Sequence, residues 1–303
     1  MGKILVTGGT GLVGYHLKEV IPNAIYLGSK DCDLTNFSLT EKLIQTYKPS
    51  VVVHLAARVG GLLDNIKYPA DYFDDNILIN TNILKACRTN NIRRFIGVLS
   101  TCVYPEKVDN YPMSEDDLFT GPPPVSNFSY GYAKRCLAVQ IEAYNKQFKT
   151  NYNYLIPCNL YGKYDDLEDK DKMHFLTALM VKIINTKNNT LNLLGTGKPL
   201  RQFMYAGDLA RVIKEVIEKD ITENFNVAPS YNYSIDQMAK MALEFLEKKY
   251  VITYEHPKLD GQFRKDVCNK KMLKLIPEFE FTDFNSGFKK VFKIIEKRLN
   301  KLK

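Results

Sequence analysis

The strongest constraint on how this chain can fold lies in its first fourteen residues. Residues 4–7 form a short apolar run that ends directly in Gly8-Gly9-Thr10-Gly11-Leu12-Val13-Gly14. A buried strand, a tight glycine turn and the start of a helix account for this order of residues. Further short apolar runs follow at 24–27, 51–54, 95–99 and 152–157, separated by helical patterns around 38–47, 70–90 and 129–148. Strands alternating with helices predict an α/β fold with a Rossmann-type, doubly wound parallel sheet covered on both faces. Glycines at 8, 11 and 14 let the backbone approach a pyrophosphate, which then rests at a helix N-terminus where free N–H groups and the dipole favour negative charge. The whole turn, Gly8 to Gly14, is therefore expected to hold a dinucleotide.

The character of the chain changes near residue 160. A polar, loop-like stretch over 163–172 leads into a helical pattern over 173–186. Short strands are expected at 191–194 and 202–205, an amphipathic helix at 208–218, a strand at 225–228, and helices at 234–249 and 286–302. The expected organisation is a dinucleotide-binding domain over 1–160, with 206–228 returning to it, and a smaller α/β substrate lobe over 161–205 and 229–303.

The +8 net charge of the 303-residue chain is mild and gathers in the tail, at Lys289, Lys290, Lys293, Lys297, Arg298, Lys301 and Lys303. This reads as the solvated face of a last helix rather than a nucleic-acid surface, and the sign also suits an anionic small substrate. The six cysteines and four histidines are scattered, without metal-ligand spacing, so no metal site is expected. No apolar run approaches a membrane span and no signal-peptide pattern precedes Lys3, which makes the cytoplasm the expected location.

The cofactor choice is read at the end of the second strand. Ser29 and Lys30 offer a hydroxyl and a positive charge that suit a 2′-phosphate, hence NADP(H). Asp31 and Asp33 pull the other way, although Asp33 could instead hold the adenine end. Leu55, Ala56 and Ala57, after the third strand, form a ledge of small residues beside the cofactor.

Chemistry is concentrated further on. Residues 95–100 reach the carboxyl edge of the sheet, where open α/β sheets bind ligands. Ser100 and Cys102 are two apart and point the same way if the segment is extended. Tyr130 and Lys134 are four apart, on one face of a helix start. A lysine close to this tyrosine would lower its pKa and make it a proton donor or acceptor during hydride transfer. Lys134 can also hold the nicotinamide ribose, and Ser100 can bond the reacting oxygen. Tyr132 has no lysine four residues on. Cys102 is an addition that a simple ketone reductase does not need.

These motifs identify a resemblance to the extended short-chain dehydrogenase/reductases and, within them, to the GDP-L-fucose synthase family. It is carried by Val6 to Gly14, Ser29-Lys30-Asp31, His54-Leu55-Ala56-Ala57-Arg58-Val59-Gly60-Gly61, Leu99-Ser100-Thr101-Cys102 and Tyr130 to Lys134. Pro157-Cys158-Asn159-Leu160-Tyr161-Gly162, Gly195 to Phe203 and Asp260-Gly261-Gln262-Phe263 extend it over nearly the whole chain. The resemblance implies an NADP(H)-dependent 3,5-epimerisation and 4-keto reduction of GDP-4-keto-6-deoxy-D-mannose, giving GDP-L-fucose. It further implies that Ser100, Cys102, Tyr130, Lys134 and His174 are catalytic, with His174 the acid partner of Cys102 and also close to the cofactor. Pro157, Asn159 and Leu160 would line the nicotinamide. Lys182, Arg201 and Asp260 would contact the GDP-sugar, with Leu194 near guanine where an aromatic residue is more usual. Cys158 and the stretch Tyr161-Gly162-Lys163-Tyr164-Asp165 also depart from the family pattern. A homodimer through the helices around 70–90 and 129–148 is implied as well.

The chemistry agrees with what the resemblance implies. A ketone at C4 acidifies the C3 and C5 protons, a thiolate and an imidazolium form a base/acid pair for inverting them, and Tyr130 can protonate the final alkoxide. The alternatives are a C4 reductase, with or without epimerase activity, of another GDP-4-keto sugar such as a heptose, and a non-enzymatic dinucleotide sensor.

Overall fold

The structure is a computed structural model that describes residues 2–165, 167 and 173–302, with the side chain of Leu302 outside the description. In chain order, the first half consists of β1 (Ile4–Thr7), α1 (Leu12–Val20), β2 (Ile25–Leu27), α2 (Phe37–Tyr47), β3 (Val51–His54), α3 (Leu62–Lys67), α4 (Pro69–Thr89), β4 (Arg94–Val98), α5 (Phe128–Phe148) and β5 (Asn151–Pro157). The second half adds β6 (Asn159–Tyr161), α6 (Phe175–Asn185), β7 (Thr190–Leu194), β8 (Leu200–Arg201), β9 (Phe203–Tyr205), α7 (Ala206–Glu218), β10 (Phe225–Val227), β11 (Tyr233–Ser234), α8 (Ile235–Phe245), β12 (Val251–Glu255), α9 (Lys270–Leu275) and α10 (Phe284–Leu302).

Six strands form one parallel sheet in the order β10-β5-β4-β3-β1-β2. All four residues of β1 and all five of β4 are buried, as expected for strands covered on both faces. Helix α1 packs on α7, while α4 lies against both α2 and α5. Chain progression reverses between β1 and β3, so a crevice opens there at the carboxyl ends of the strands. Ser100, just beyond β4, and the glycine turn after β1 reach that edge.

A second apolar core is built around Leu176, Leu179, Met180, Phe203, Phe288 and Ile295, drawn from α6, β9 and α10. Small paired strands frame it: β12 runs parallel to β7, β6 parallel to β9, and β11 antiparallel to β8. β6 and β12 were not anticipated from the sequence. β6 follows β5 after one residue, and β12 is mostly exposed, so neither shows a clear apolar pattern. The strand at 225–227 joins the large sheet, where 206–228 was expected to return.

One segment departs from expectation. Val267, Met272 and Ile276 are part of the first core, with Phe279 and Phe281 packed against it. The segment around α9 thus lies on the side of the large sheet and contacts β10, although it was assigned to the smaller lobe. Its apolar residues are complementary to a surface that only the assembled sheet presents. Most of the 163–172 stretch, expected to be a loop, lies outside the described residues.

Candidate active site

A cleft of about 1080 Å³ runs from the glycine turn across the ends of the strands into the smaller core. The glycine turn is built by steric necessity at three positions. Gly8 has φ of +69°, and a Cβ there would lie 2.6 Å from the Ala56 nitrogen. A Cβ on Gly9 would lie 2.8 Å from Tyr26 Cα, and one on Gly14 would lie 2.5 Å from the Gly9 carbonyl carbon. Gly9 and Gly14 are not among the residues lining the cleft, and the close approach of neighbouring backbone gives them a packing role. Gly11 differs: its nearest obstacle would be the Gly8 carbonyl oxygen at 3.3 Å, and it faces the cleft with Gly8, Thr10, Leu12 and Val13. Gly11 also N-caps α1 without a side-chain cap, and no acidic residue occupies the first turn. The free N–H groups of that turn fit a pyrophosphate.

Ser29, Asp33, Leu55, Ala56 and Ala57 line the same cleft; Lys30 is exposed and does not. Asp31 is occupied locally, its carboxylate accepting from the Gly28 nitrogen at 2.7 Å. Asp33 accepts from the nitrogen and hydroxyl of Thr35 at 2.9 and 2.7 Å, bonds that hold its carboxyl below the usual range. Below the ledge, His54 is fully buried between Thr7 at 2.7 Å and Asn80 at 3.1 Å. Burial, aided by the charge of Lys134, lowers its pKa to about 3, so it is a neutral structural histidine.

Ser100, Cys102, Tyr130, Lys134 and His174 all face the cleft. Ser100 has extended backbone, but Cys102 does not, so the two do not share the extended segment assumed from their spacing. The chain turns at Ser100 into a 3₁₀ helix, Thr101–Val103, and the Ser100 hydroxyl caps it by accepting from the Cys102 nitrogen at 3.3 Å. Tyr130 and Lys134 do share a face of α5. Lys134 Nζ donates to the Val98 carbonyl at 2.8 Å, and burial lowers its pKa to about 8. Tyr130 is pushed well above the usual phenol range, first by burial and then by Cys102 and Tyr72, so the expected lowering by Lys134 is not realised in this arrangement.

The thiol and the imidazole each have a charged partner. Lys265 Nζ lies 2.9 Å from Cys102 Sγ. Burial alone would raise the Cys102 thiol, but Lys265, together with Ser100 and Arg201, draws its pKa below the ordinary value. Burial instead pushes Cys32, Cys87, Cys136 and Cys158 up. His174 precedes α6 as its N-cap residue, with extended backbone. Its Nδ1 lies 3.1 Å from Asp165 Oδ1, and the Thr177 hydroxyl donates to the other carboxylate oxygen at 2.5 Å. Burial would lower the imidazole, yet the bond and charge of Asp165 hold it above the ordinary value. Asp165 and Lys265 were not singled out from the sequence. Asp165 stood in a stretch noted only as a departure from the family pattern. Lys265 follows the matched Asp260 to Phe263 motif by two residues, and nothing local shows that it meets Cys102.

The far end of the cleft holds Lys182, Leu194, Arg201 and Asp260, with Pro157, Asn159 and Leu160 at its middle. Lys182 Nζ donates to the Asn192 carbonyl at 2.9 Å. Arg201 has no carboxylate within ion-pair distance among the described residues; it bonds the Leu200 and Asp260 carbonyls at 2.8 and 3.3 Å, and burial lowers its pKa to about 10. Asp260 spends both carboxylate oxygens on Thr196, at 2.6 Å to its nitrogen and 2.7 Å to its hydroxyl. It therefore pins the glycine turn at 195–197. Among the described residues, no cluster of His, Cys, Asp or Glu could hold a metal ion.

A doubly wound sheet, an uncapped helix at the switch point and a serine, tyrosine and lysine at the strand ends define a dinucleotide-dependent oxidoreductase of the short-chain type. Residues 4–228 match the model of the NAD dependent epimerase/dehydratase family, and the chain belongs to that family. It is 37% identical to the GDP-L-fucose synthase of Dictyostelium discoideum over 298 residues, covering 94% of this chain and 92% of that protein. It superposes with a TM-score of 0.88 on a crystal structure of a GDP-L-fucose synthetase from Naegleria fowleri bound to NADP, at 32% identity, covering 98% of this chain and 95% of that one. The GDP-mannoheptose C4 reductase of Campylobacter jejuni with NADP bound gives 0.84 at 24% identity, covering 96% of this chain and 97% of that one, a likeness of fold alone.

Proposed function

We propose that the protein catalyses NADPH-dependent 3,5-epimerisation and 4-keto reduction of GDP-4-keto-6-deoxy-D-mannose, producing GDP-L-fucose. The observation that carries this reading is the meeting of two sets of groups in one cleft. Ser100, Tyr130 and Lys134 suffice for ketone reduction. Cys102 beside a cation and His174 beside an anion are needed only if carbon centres are inverted as well.

NADPH supplies the hydride when bound. The chain's own residues do the rest. Thr10, Gly11, Leu12 and Val13 cradle the pyrophosphate with Gly8, and Ser29 and Asp33 flank the adenosine end. Leu55, Ala56, Ala57, Pro157, Asn159 and Leu160 shape the nicotinamide side, and Lys134 holds the ribose. Ser100 and Tyr130 bond the C4 oxygen, which stabilises an enolate after a proton leaves C3 or C5. Cys102 takes that proton and His174, oriented by Asp165, returns one to the opposite face. Tyr130 then protonates the C4 oxygen in the reductive step. Its raised pKa keeps the hydroxyl protonated until it is needed. Arg201 and Lys182 bind the diphosphate and the nucleoside end, Leu194 packs near the base, and Asp260 sets the loop that meets the sugar nucleotide.

A C4 reductase of another GDP-4-keto sugar that does not epimerise would have no use for the Cys102–His174 pair, and a dinucleotide sensor no use for the Tyr130–Lys134 pair. Residues 1–160 with 206–228 bind the cofactor, and 161–205 with most of 229–303 bind the sugar nucleotide. The cytoplasm, where thiols stay reduced, suits a catalytic Cys102, and the working form is a homodimer.

The test is isotope exchange. Incubated with the 4-keto substrate in D2O without NADPH, the enzyme should place deuterium at C3 and C5, and Cys102→Ser should not. Retention of protium at both carbons, with NADPH oxidation intact, would assign the protein to simple C4 reduction.

A further inference from the structure

Lys265 raises a question of charge. It is 6% exposed, and a buried ammonium is expensive without a counter-charge. Among the described residues it has no carboxylate within ion-pair distance. Its neighbours Arg264 and Asp266 satisfy each other, at 2.7 and 2.9 Å. Its hydrogen-bond partner is Cys102 Sγ, at 2.9 Å.

The contact joins two backbones that are each held in place. On one side, Leu200 N bonds the Phe263 carbonyl at 2.8 Å and Met113 N bonds the Asp266 carbonyl at 2.9 Å. The Gln202 side chain grips Val267 through both its nitrogen and its carbonyl, at 2.9 and 3.1 Å. On the other side, Ser100 caps the turn that carries Cys102. The remaining charged or titratable groups acting on the sulfur are Arg201, Tyr130 and His174, and among the described residues Lys265 is the cation that hydrogen-bonds it.

We propose that Lys265 is a positioning residue for epimerisation, whose ammonium holds Cys102 as the thiolate base and restores that thiolate between the two inversions. The proposal rests on the epimerase reading above. In each inversion a C–H bond breaks and an S–H bond forms, with the electron pair passing onto the C4 oxygen. The His174 N–H bond then breaks as a C–H bond forms on the opposite face. Cys102 gives its proton to water and His174 regains one, so nothing is oxidised or reduced. Once the sulfur is neutral, Lys265 is a buried cation without a counter-charge, and this favours loss of the thiol proton before the second carbon is attacked. The reductive step needs no thiolate and is independent of Lys265.

Two readouts test this. In the full-length enzyme, the rate of Cys102 alkylation by iodoacetamide is followed against pH by peptide mass spectrometry, with Cys102→Ser as the blank. Lys265→Met should move the midpoint up and slow alkylation at pH 7 about tenfold or more, while Lys265→Arg keeps the low midpoint. NADP affinity should stay unchanged. Lys265→Gln, which keeps a donor but not the charge, should behave as Met does and serves if Met impairs folding. With sugar present, C3 and C5 exchange should fall in parallel, while NADPH-dependent reduction of the already epimerised 4-keto sugar stays within about twofold. An unmoved midpoint in both neutral variants, or reduction lost as fully as exchange, overturns the role of Lys265. A low midpoint in an enzyme that exchanges neither carbon overturns the epimerase reading instead.

Discussion

At the scale of single residues, glycines that look alike in the motif do different work. Gly8, Gly9 and Gly14 are required by backbone conformation or by atoms that a Cβ would strike within 3 Å. Gly11 is not, because its nearest obstacle stands at 3.3 Å and its open side faces the cleft. Gly11→Ala should therefore fold normally and lose NADP affinity by about tenfold, as expected when one backbone N–H contact to a phosphate is blocked. Thermal melting with and without NADP checks this: the free variant should melt with the wild type, and the shift caused by NADP should shrink. A melting loss without cofactor would show that Gly11 belongs with the packing glycines. Ser100, Cys102, Tyr130 and Lys134 were legible in the sequence because they sit in short, dense motifs, whereas His174 was reached only through the family resemblance. The partners Lys265 and Asp165 were not legible, because a counter-charge is chosen by proximity in space. Lys265 is 163 positions from Cys102. The same limit applies to Lys30, whose place after the second strand suggested a phosphate contact but whose side chain does not line the cleft.

At the scale of elements, periodicity located the strands of the large sheet and helices α2, α4, α5 and α7 to within a residue or two. It failed where an element has no stripe of its own. β12 is such a case, gaining its hydrogen bonds from β7. So is the segment around α9, whose apolar residues find their partner only on the assembled sheet. Helices α4 and α5 pack on each other and still expose Phe73, Leu78, Phe128 and Val139. Apolar side chains at this density on two paired helices support the dimer proposed above. Leu78→Glu with Val139→Glu should convert a dimer to monomers in sedimentation velocity, with the far-ultraviolet spectrum unchanged. A wild-type protein that sediments as a monomer at micromolar concentration would remove the proposal.

At the scale of the whole molecule, the sheet carries a buried acid-sensitive group in its centre. His54 is held neutral with a pKa of about 3, and His16, packed against Tyr164 and Tyr205, is lowered by burial to about 4. In the unfolded chain both bind a proton near pH 6.5, so between that value and their folded pKa values the unfolded state holds more protons. Stability contributed by the neutral forms is thus present above pH 6.5 and is lost as pH falls, at about 1.4 kcal/mol per pH unit for a fully buried histidine. The urea midpoint should drop steadily from pH 6.5 to pH 5, before most carboxylates titrate, and a flat profile would contradict the neutral burial of His54. None of the helices, among the described residues, is long and apolar enough to cross a membrane. The sequence by itself determined the alternation of strands and helices, the glycine turn and the Ser100–Cys102 and Tyr130–Lys134 spacings. These are properties of neighbouring residues, and local sterics and periodicity act over a few positions. Only the tertiary structure decided which cation meets Cys102, which anion meets His174 and where the segment around α9 packs. Charge pairing and apolar burial act between surfaces that come together only when the chain has folded.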